Sequence, residues 1–198
     1  MRSVALFLLF LFALLTFALH RATKPAEASS VDLRLSRIAS TIAGHDVSVR
    51  CEGASGEIIG MGGESGRTMF TNGKPADETF LLDGICERLH AYARQSKARP
   101  DCLLPCDGST LETAWSLNAL AHESYHLSGI RDEARTQCYA LQTIDLVARE
   151  LGADEQQARE LAIFSSNEIP PQMPPQYISP ECHDGGRYDL RPHDPSWP

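Results

Sequence analysis

With 26 acidic against 18 basic side chains in 198 residues and a formal net charge of −8, the chain is too acidic for nucleic acid or an anionic lipid surface to be its partner. Its length allows one domain with a substantial core, and no internal repeat divides it.

After Met1, Arg2 and Ser3, residues 4 to 19 are apolar apart from Thr16, and Ala26-Glu27-Ala28 offers a small-residue cleavage site. This predicts a signal peptide over residues 1 to 28. An uncleaved N-terminal membrane anchor is the alternative, because the apolar run falls just short of a spanning helix and Arg21 and Lys24 follow it. In either case the remainder is expected to be secreted, or held on the outer face of the membrane. Removing residues 1 to 28 takes away Arg2, Arg21, Lys24 and the single acid Glu27, which leaves 15 basic against 25 acidic residues and a charge of −10. All six cysteines, Cys51, Cys86, Cys102, Cys106, Cys138 and Cys182, lie in that remainder. An even number in an oxidising compartment predicts disulfides, with the pairing open. Cys102 and Cys106, or Cys182 with His183, also have metal-ligand spacing, but no second close cysteine pair stands nearby to complete a four-ligand site.

Residues 29 to 169 are expected to form the domain. Val31, Leu35, Ile38 and Ile42 recur near helical spacing and predict a short helix ending at Gly44. From Asp46 to Leu82 brief apolar or alternating runs, VSVRC, EIIGMGG, RTMF and TFLL, are punctuated by glycine and by Asn72-Gly73, which predicts a small antiparallel sheet. Gly53, Gly56, Gly60, Gly62, Gly63 and Gly66 are assigned to its turns and bulges. Ile85, Leu89 and Tyr92 then mark a helix packed on the sheet, on which His90 is partly exposed and without a catalytic partner.

A proline- and cysteine-pinned loop leads to Ser109 and Glu112, a capping box that opens a helix. Leu111, Trp115, Asn118, His122 and His126 fall along one stripe of it, with Trp115 and Leu117 assigned to core filling. His122-Glu123-Ser124-Tyr125-His126 is an H-E-x-x-H pattern. At about 100° and 1.5 Å per residue, the two imidazoles stand one turn apart on one face and can reach a single ion. Glu123 lies beside that face, placed to polarise a zinc-bound water rather than to bind the ion.

A zinc with an open catalytic position needs a third protein ligand, and Asp132 and Glu133 are the acids at hand. In one continuous helix Glu133 would lie about 10 Å beyond the histidines; a left-handed turn at Gly129 removes that objection. A second helix is predicted from there to Gly152, a third over ADEQQARELAIFSSNE, and after it a Pro-rich tail, residues 170 to 198, with eight of the 12 prolines. The tail is expected to be extended, wrapped on the domain and tied at Cys182.

Two resemblances bear on the third ligand. His122 to Asp132 follows the metzincin pattern H-E-x-x-H-x-x-G-x-x-H with Asp132 in the last place, and Met173 would then be the only downstream methionine for the turn beneath the metal. Glu133-Ala-Arg-Thr-Gln-Cys138-Tyr-Ala140 resembles the E-L-x-A-D-C-x-A stretch of the neutral zinc metallopeptidases, with Thr136-Gln137 where that gluzincin family has Ala-Asp and a much shorter gap after His126. The second resemblance favours Glu133. It covers residues 109 to 142 and implies a zincin-like α+β architecture: a small antiparallel sheet over an active-site helix and a supporting helix, stapled by disulfides. It also implies a Zn2+ cofactor and hydrolysis of a peptide or protein substrate. Zincins stabilise the oxyanion with a His or Tyr from elsewhere; Tyr125, Tyr139, Tyr177, His183 and Tyr188 are available, and of these Tyr177 and His183 lie in the stretch of tail expected to be tethered over the domain. The expectation is therefore an exported zinc metallopeptidase acting as a monomer. The alternative is an exported binding or structural protein with a non-catalytic zinc site or an inactive zincin fold.

Overall fold

The computed structural model describes residues 30 to 52 and 65 to 192. The expected signal peptide, the EIIGMGG run and Gly53, Gly56, Gly60, Gly62 and Gly63 lie outside the described residues. The first helix, α1 (Leu33–Ala43), starts where the Asp32 carboxylate accepts the backbone N–H groups of Arg34 and Leu35, each at 3.0 Å. Gly44, at φ 79°, ends it in the left-handed conformation.

The sheet is mixed, which corrects the expectation of a wholly antiparallel one. Strands β1 (Ser30–Val31), β2 (Ser48–Glu52), β3 (Gly66–Thr71) and β4 (Lys74–Leu82) lie in the order β1-β2-β4-β3. Asn72 and Gly73, with φ of 52° and 81°, have the sign that a type I′ turn requires, so β3 and β4 must be antiparallel neighbours. Only the far edge of β4 then remains for β2, which pairs there in parallel, Val49 beside Thr79 and Cys51 beside Leu81. β4 thereby becomes an inner strand, with Thr79 fully buried and Leu81 nearly so, while β3 is the edge strand among the described residues.

Helix α2 (Asp83–Ala98) leaves β4 directly and buries Ile85, Leu89 and Tyr92, as their spacing predicts. Helix α3 (Thr110–Leu127) runs through the middle of the molecule and packs against α1, α2, β3 and β4 on one side. On the other side stand α4 (Glu133–Leu141), α5 (Ile144–Glu150) and α6 (Glu155–Glu168). A helix enclosed on all sides is apolar or small all round, and Ala114, Leu117, Leu120, Ala121 and Leu127 are completely buried in the same core as Leu35, Ile85, Leu89, Ile144 and Leu161. His122, Glu123 and His126 are polar exceptions on this helix, each under a tenth exposed.

Two local expectations fail for local reasons. The helix predicted from the turn after Gly129 to Gly152 breaks into α4 and α5, because Gln142 serves the tail: its amide Nε2 donates to Tyr188 O at 2.7 Å, its Oε1 accepts Leu190 N–H at 2.7 Å, and its carbonyl accepts Arg191 Nη2 at 2.6 Å. The capping box expected at Ser109 does not form, since the hydroxyl turns back to the Asp107 carboxylate and caps no backbone N–H of the helix. A capping box does form at α6, where Asp154 accepts Gln157 N–H at 2.8 Å and Gln157 Oε1 accepts Asp154 N–H at 3.1 Å.

The cysteines pair as Cys51–Cys86, Cys102–Cys106 and Cys138–Cys182. Three disulfides fit an oxidising, extracellular environment. Among the described residues no helix is long and apolar enough to cross a membrane. The tail is turned rather than extended, with 3-10 turns at Pro170–Gln172 and Pro175–Tyr177, and Cys182 ties it to α4. Cys51–Cys86 joins β2 to α2 across 35 residues, so replacing both cysteines with Ser is expected to lower the unfolding free energy by about 4 kcal/mol. The same change at Cys102 and Cys106, which span 4 residues, should cost about 2 kcal/mol. Calorimetry giving equal losses for the two pairs would contradict this ordering.

Candidate metal centre

The hinge that brings the site together is a turn between α3 and α4. Gly129, at φ 97°, donates its N–H to His126 O at 2.9 Å, and Ile130 donates to Tyr125 O at 3.3 Å. This paired arrangement ends α3 after the second histidine and turns the chain back sharply. Asp132 then opens α4 as its N-cap, its carboxylate accepting Arg135 N–H at 2.7 Å. Glu133, one residue later, points back toward the histidines. Its Oε2 lies 3.1 Å from His122 Nε2 and 3.4 Å from His126 Nε2.

His122, His126 and Glu133 offer three ligand atoms within 4.8 Å of one another, and together they can hold a metal ion. The hydrogen bonds on the far side of each ring sharpen that fit. His122 Nδ1 faces Gln137 Oε1 at 3.1 Å, and His126 Nδ1 faces Ile130 O at 2.7 Å. Both partners are carbonyl oxygens, which only accept, so both Nδ1 atoms carry the proton and both neutral rings present an Nε2 lone pair. Two lone pairs facing a carboxylate oxygen are unfavourable with nothing between them. A cation at the point where they converge satisfies all three. Without one, a proton on each Nε2 takes its place, and the hydrogen bonds then donated to Glu133 hold its carboxyl down to about 2, the His122 contact first and the His126 contact next. Burial, the largest influence on His126, lowers its affinity for a proton, but Glu133, the Ile130 carbonyl and Glu123 together leave it raised.

Gln137 is held in turn by Asn118: Asn118 Nδ2 donates to Gln137 Oε1 at 3.2 Å and Gln137 Nε2 donates to Asn118 Oδ1 at 3.0 Å, all buried. The residue that departs from the family stretch thus carries the outer hydrogen bond of His122. Gln137→Ala is expected to weaken metal binding 10- to 100-fold with the helices intact, measured by competition with a chromophoric chelator, and unchanged affinity would mean the His122 ring is oriented by packing alone.

Glu123 lies on the opposite wall from Glu133. Thr68 of β3 donates to its Oε2 at 2.8 Å, and Thr79 of β4 stands 3.3 Å away while donating to Arg67 O at 2.8 Å. Burial raises the Glu123 carboxyl above its ordinary value, against the lowering by both histidines and both threonines. Gly66 is part of β3 rather than of a turn, and the close approach explains it: an added Cβ would come within 2.7 Å of Leu81 Cδ2, 2.8 Å of Phe80 O and 2.9 Å of Glu123 Cγ.

These groups line a cleft of about 410 Å³, in the size range of ligand sites. β3 forms one rim, through Gly66, Arg67, Thr68 and Phe70, and the tail forms another, through Met173, Pro174, Gln176 and Tyr177. Tyr177 is brought to the site, its ring centroid 5.7 Å from that of His122. His183 is not: it is exposed, outside the cleft lining, with Nδ1 facing Asp184 O at 2.7 Å. Trp115 packs against the core as assigned but is only half-buried and also lines the cleft two turns before His122, and Leu117 is fully buried as expected. All six cysteines are disulfide-bonded, so none is a metal ligand. His90 pairs with Asp32 and takes no part in the cleft.

Sequence reasoning missed Gln137, Asn118, Thr68, Thr79 and Arg131. Gln137 had a signal, standing one helical turn after Glu133 on the same face; the threonines had none, because strand pairing alone sets them over Glu123. Comparison with protein-family models, with curated proteins and with solved structures gave no match.

Proposed function

We propose that this chain is an exported, monomeric zinc peptidase of zincin-like arrangement, with His122, His126 and Glu133 as ligands and Glu123 as the general base. One observation carries the reading: two Nε2 lone pairs and a carboxylate oxygen converge within 4.8 Å, inside a cleft that also holds Glu123. Two imidazoles and one carboxylate suit zinc and leave a coordination position open, the mark of a catalytic rather than a closed site. Zinc there supplies Lewis acidity to a water and to the scissile carbonyl.

The chain's own residues supply the rest. Gln137 and the Ile130 carbonyl fix the two ring orientations, so the ligand atoms need no reorganisation when substrate enters. Glu123 receives a proton from the attacking water and returns it to the leaving nitrogen. Burial brings its carboxyl closer to the pH at which both transfers run, and Thr68 fixes the oxygen that takes part. Among the described residues no strand pairs with the outer edge of β3, which lines the cleft, and an extended peptide can add there as a strand. Tyr177, its ring tilted beside that of His122 in the cleft, is the group we assign to the developing oxyanion.

The second reading is a metal site that only clamps α3 to α4, and the burial of Glu123, 6% exposed, favours it. The two differ in one measurement. Purified protein on the peptidase reading binds about one zinc per chain and cleaves a mixed peptide library, a chelator abolishes cleavage, and zinc restores it. Zinc bound without any cleavage would leave the clamp; zinc neither bound on purification nor taken up afterwards would sink both.

A further inference from the structure

Arg131 stands at one end of the cleft, on the turn between α3 and α4, with its guanidinium carbon 5.3 Å from the centroid of the Phe70 ring. Phe70 in turn presents its edge to His126, ring centroids 6.0 Å apart, so the guanidinium lies within about 11 Å of the His126 imidazole. An extended peptide covers that distance in no more than about three residues. The charge of the other arginine in the cleft is already matched, since Arg67 Nη2 lies 2.7 Å from Glu52 Oε2 and its guanidinium sits over Phe80. Arg131 has no carboxylate partner among the described residues. Among the described residues it is a cation without an acidic partner, its guanidinium carbon over an aromatic ring, in a protein of net charge −8 whose general field repels anions.

We propose that Arg131 sets the substrate preference of this cleft by receiving a substrate carboxylate, an Asp or Glu side chain or the C-terminal carboxylate of a peptide, within three residues of the bond held at the metal site. The inference rests on the peptidase reading. The cation–π contact with Phe70 holds the guanidinium at the cleft without using its N–H groups on a carboxylate, and a substrate carboxylate can meet that fork with two parallel hydrogen bonds. Along α3 the lining changes in kind: Trp115 and Ala119 precede His122 on the helix, and Arg131 follows the turn that ends it, so apolar side chains come before the two histidines and the cation after them. A peptide bound along it is selected by charge on one side of the scissile bond only.

The test is binding, which does not depend on turnover. The zinc-loaded full chain carrying Glu123→Gln is titrated with fluorescent peptides in which a single Glu, against Gln, is moved one position at a time. Each peptide is made as free acid and as amide. The expected result is a binding advantage of about tenfold for Glu at one position, which marks a side-chain carboxylate, or for the free acid over the amide, which marks the C-terminus. Adding Arg131→Gln removes that advantage, and Arg131→Lys keeps part of it. Equal binding of acidic and neutral peptides, no binding at all, or an advantage that survives Arg131→Gln overturns the proposal. The peptidase reading fails on a different result: peptides that bind the Glu123→Gln protein yet are not cleaved by the zinc-loaded protein with Glu123 intact.

Discussion

Glu123→Gln is expected to lower kcat on any cleaved peptide by about 10²- to 10⁴-fold, roughly 3 to 5 kcal/mol of barrier, while zinc content stays at that of the unmodified protein. The substitution is isosteric. Its amide oxygen can still accept from Thr68, so β3 stays seated on α3, and the three ligand atoms belong to other side chains. What disappears is the capacity to take a proton and return it. The same change should leave the protein at least as stable, because Glu123 is buried and burial is the main force raising its carboxyl: a neutral amide escapes the cost of desolvating a charge. The expected pattern is thus full metal content, an unchanged or higher Tm, and lost turnover. A clamp site predicts something else, no turnover before or after the change. A drop in kcat of less than tenfold would assign the proton transfer to another group.

Glu133→Ala is expected to weaken zinc binding by well over about 100-fold, beyond the range typical of outer hydrogen-bond partners, whereas Asp132→Ala should change it only a few-fold. The two acids are neighbours in sequence and opposite in role. The Glu133 carboxylate faces both Nε2 atoms, and the Asp132 carboxylate is committed to Arg135 N–H at the start of α4. Asp132→Ala therefore loses an N-cap and about 1 kcal/mol of stability. Chelator competition and thermal unfolding on the two variants separate the effects, since each should move one observable and spare the other. The larger affinity loss in Asp132→Ala would restore the metzincin-like assignment and require α4 to unwind its first turn in the metal-bound protein.

The reading of Glu133 against Asp132 shows where local information stops. Both acids follow Gly129 at distances that allow a return to the metal, and the pattern resemblances divide between them. The N-cap decides the geometry: a helix that starts at Glu133 uses the preceding carboxylate on its own orphan N–H groups and projects the next one inward. Gln137 is a similar case. As a letter it is a departure from a family stretch; on a helix it stands one turn beyond Glu133, where its carbonyl meets His122 Nδ1.

The chain's sequence by itself determined the features that depend on a few adjacent residues. These are the two histidines one turn apart with Glu123 between them, the left-handed stop at Gly129, the Asn72-Gly73 hairpin and the α+β alternation of strand and helix patterns, each specified by dihedral preference or periodicity within one element. The tertiary structure alone decided the mixed order of the sheet, the partners of the six cysteines, the break at Gln142, the entry of Trp115 and Tyr177 into the cleft, the exclusion of His183 from it, and the two threonines over Glu123. The physical reason is common to all of them. Each, the local Cys102–Cys106 pair apart, rests on a hydrogen bond, a disulfide or a packing contact between segments far apart in sequence, and such a pairing becomes specific only when the whole core fixes which surfaces meet.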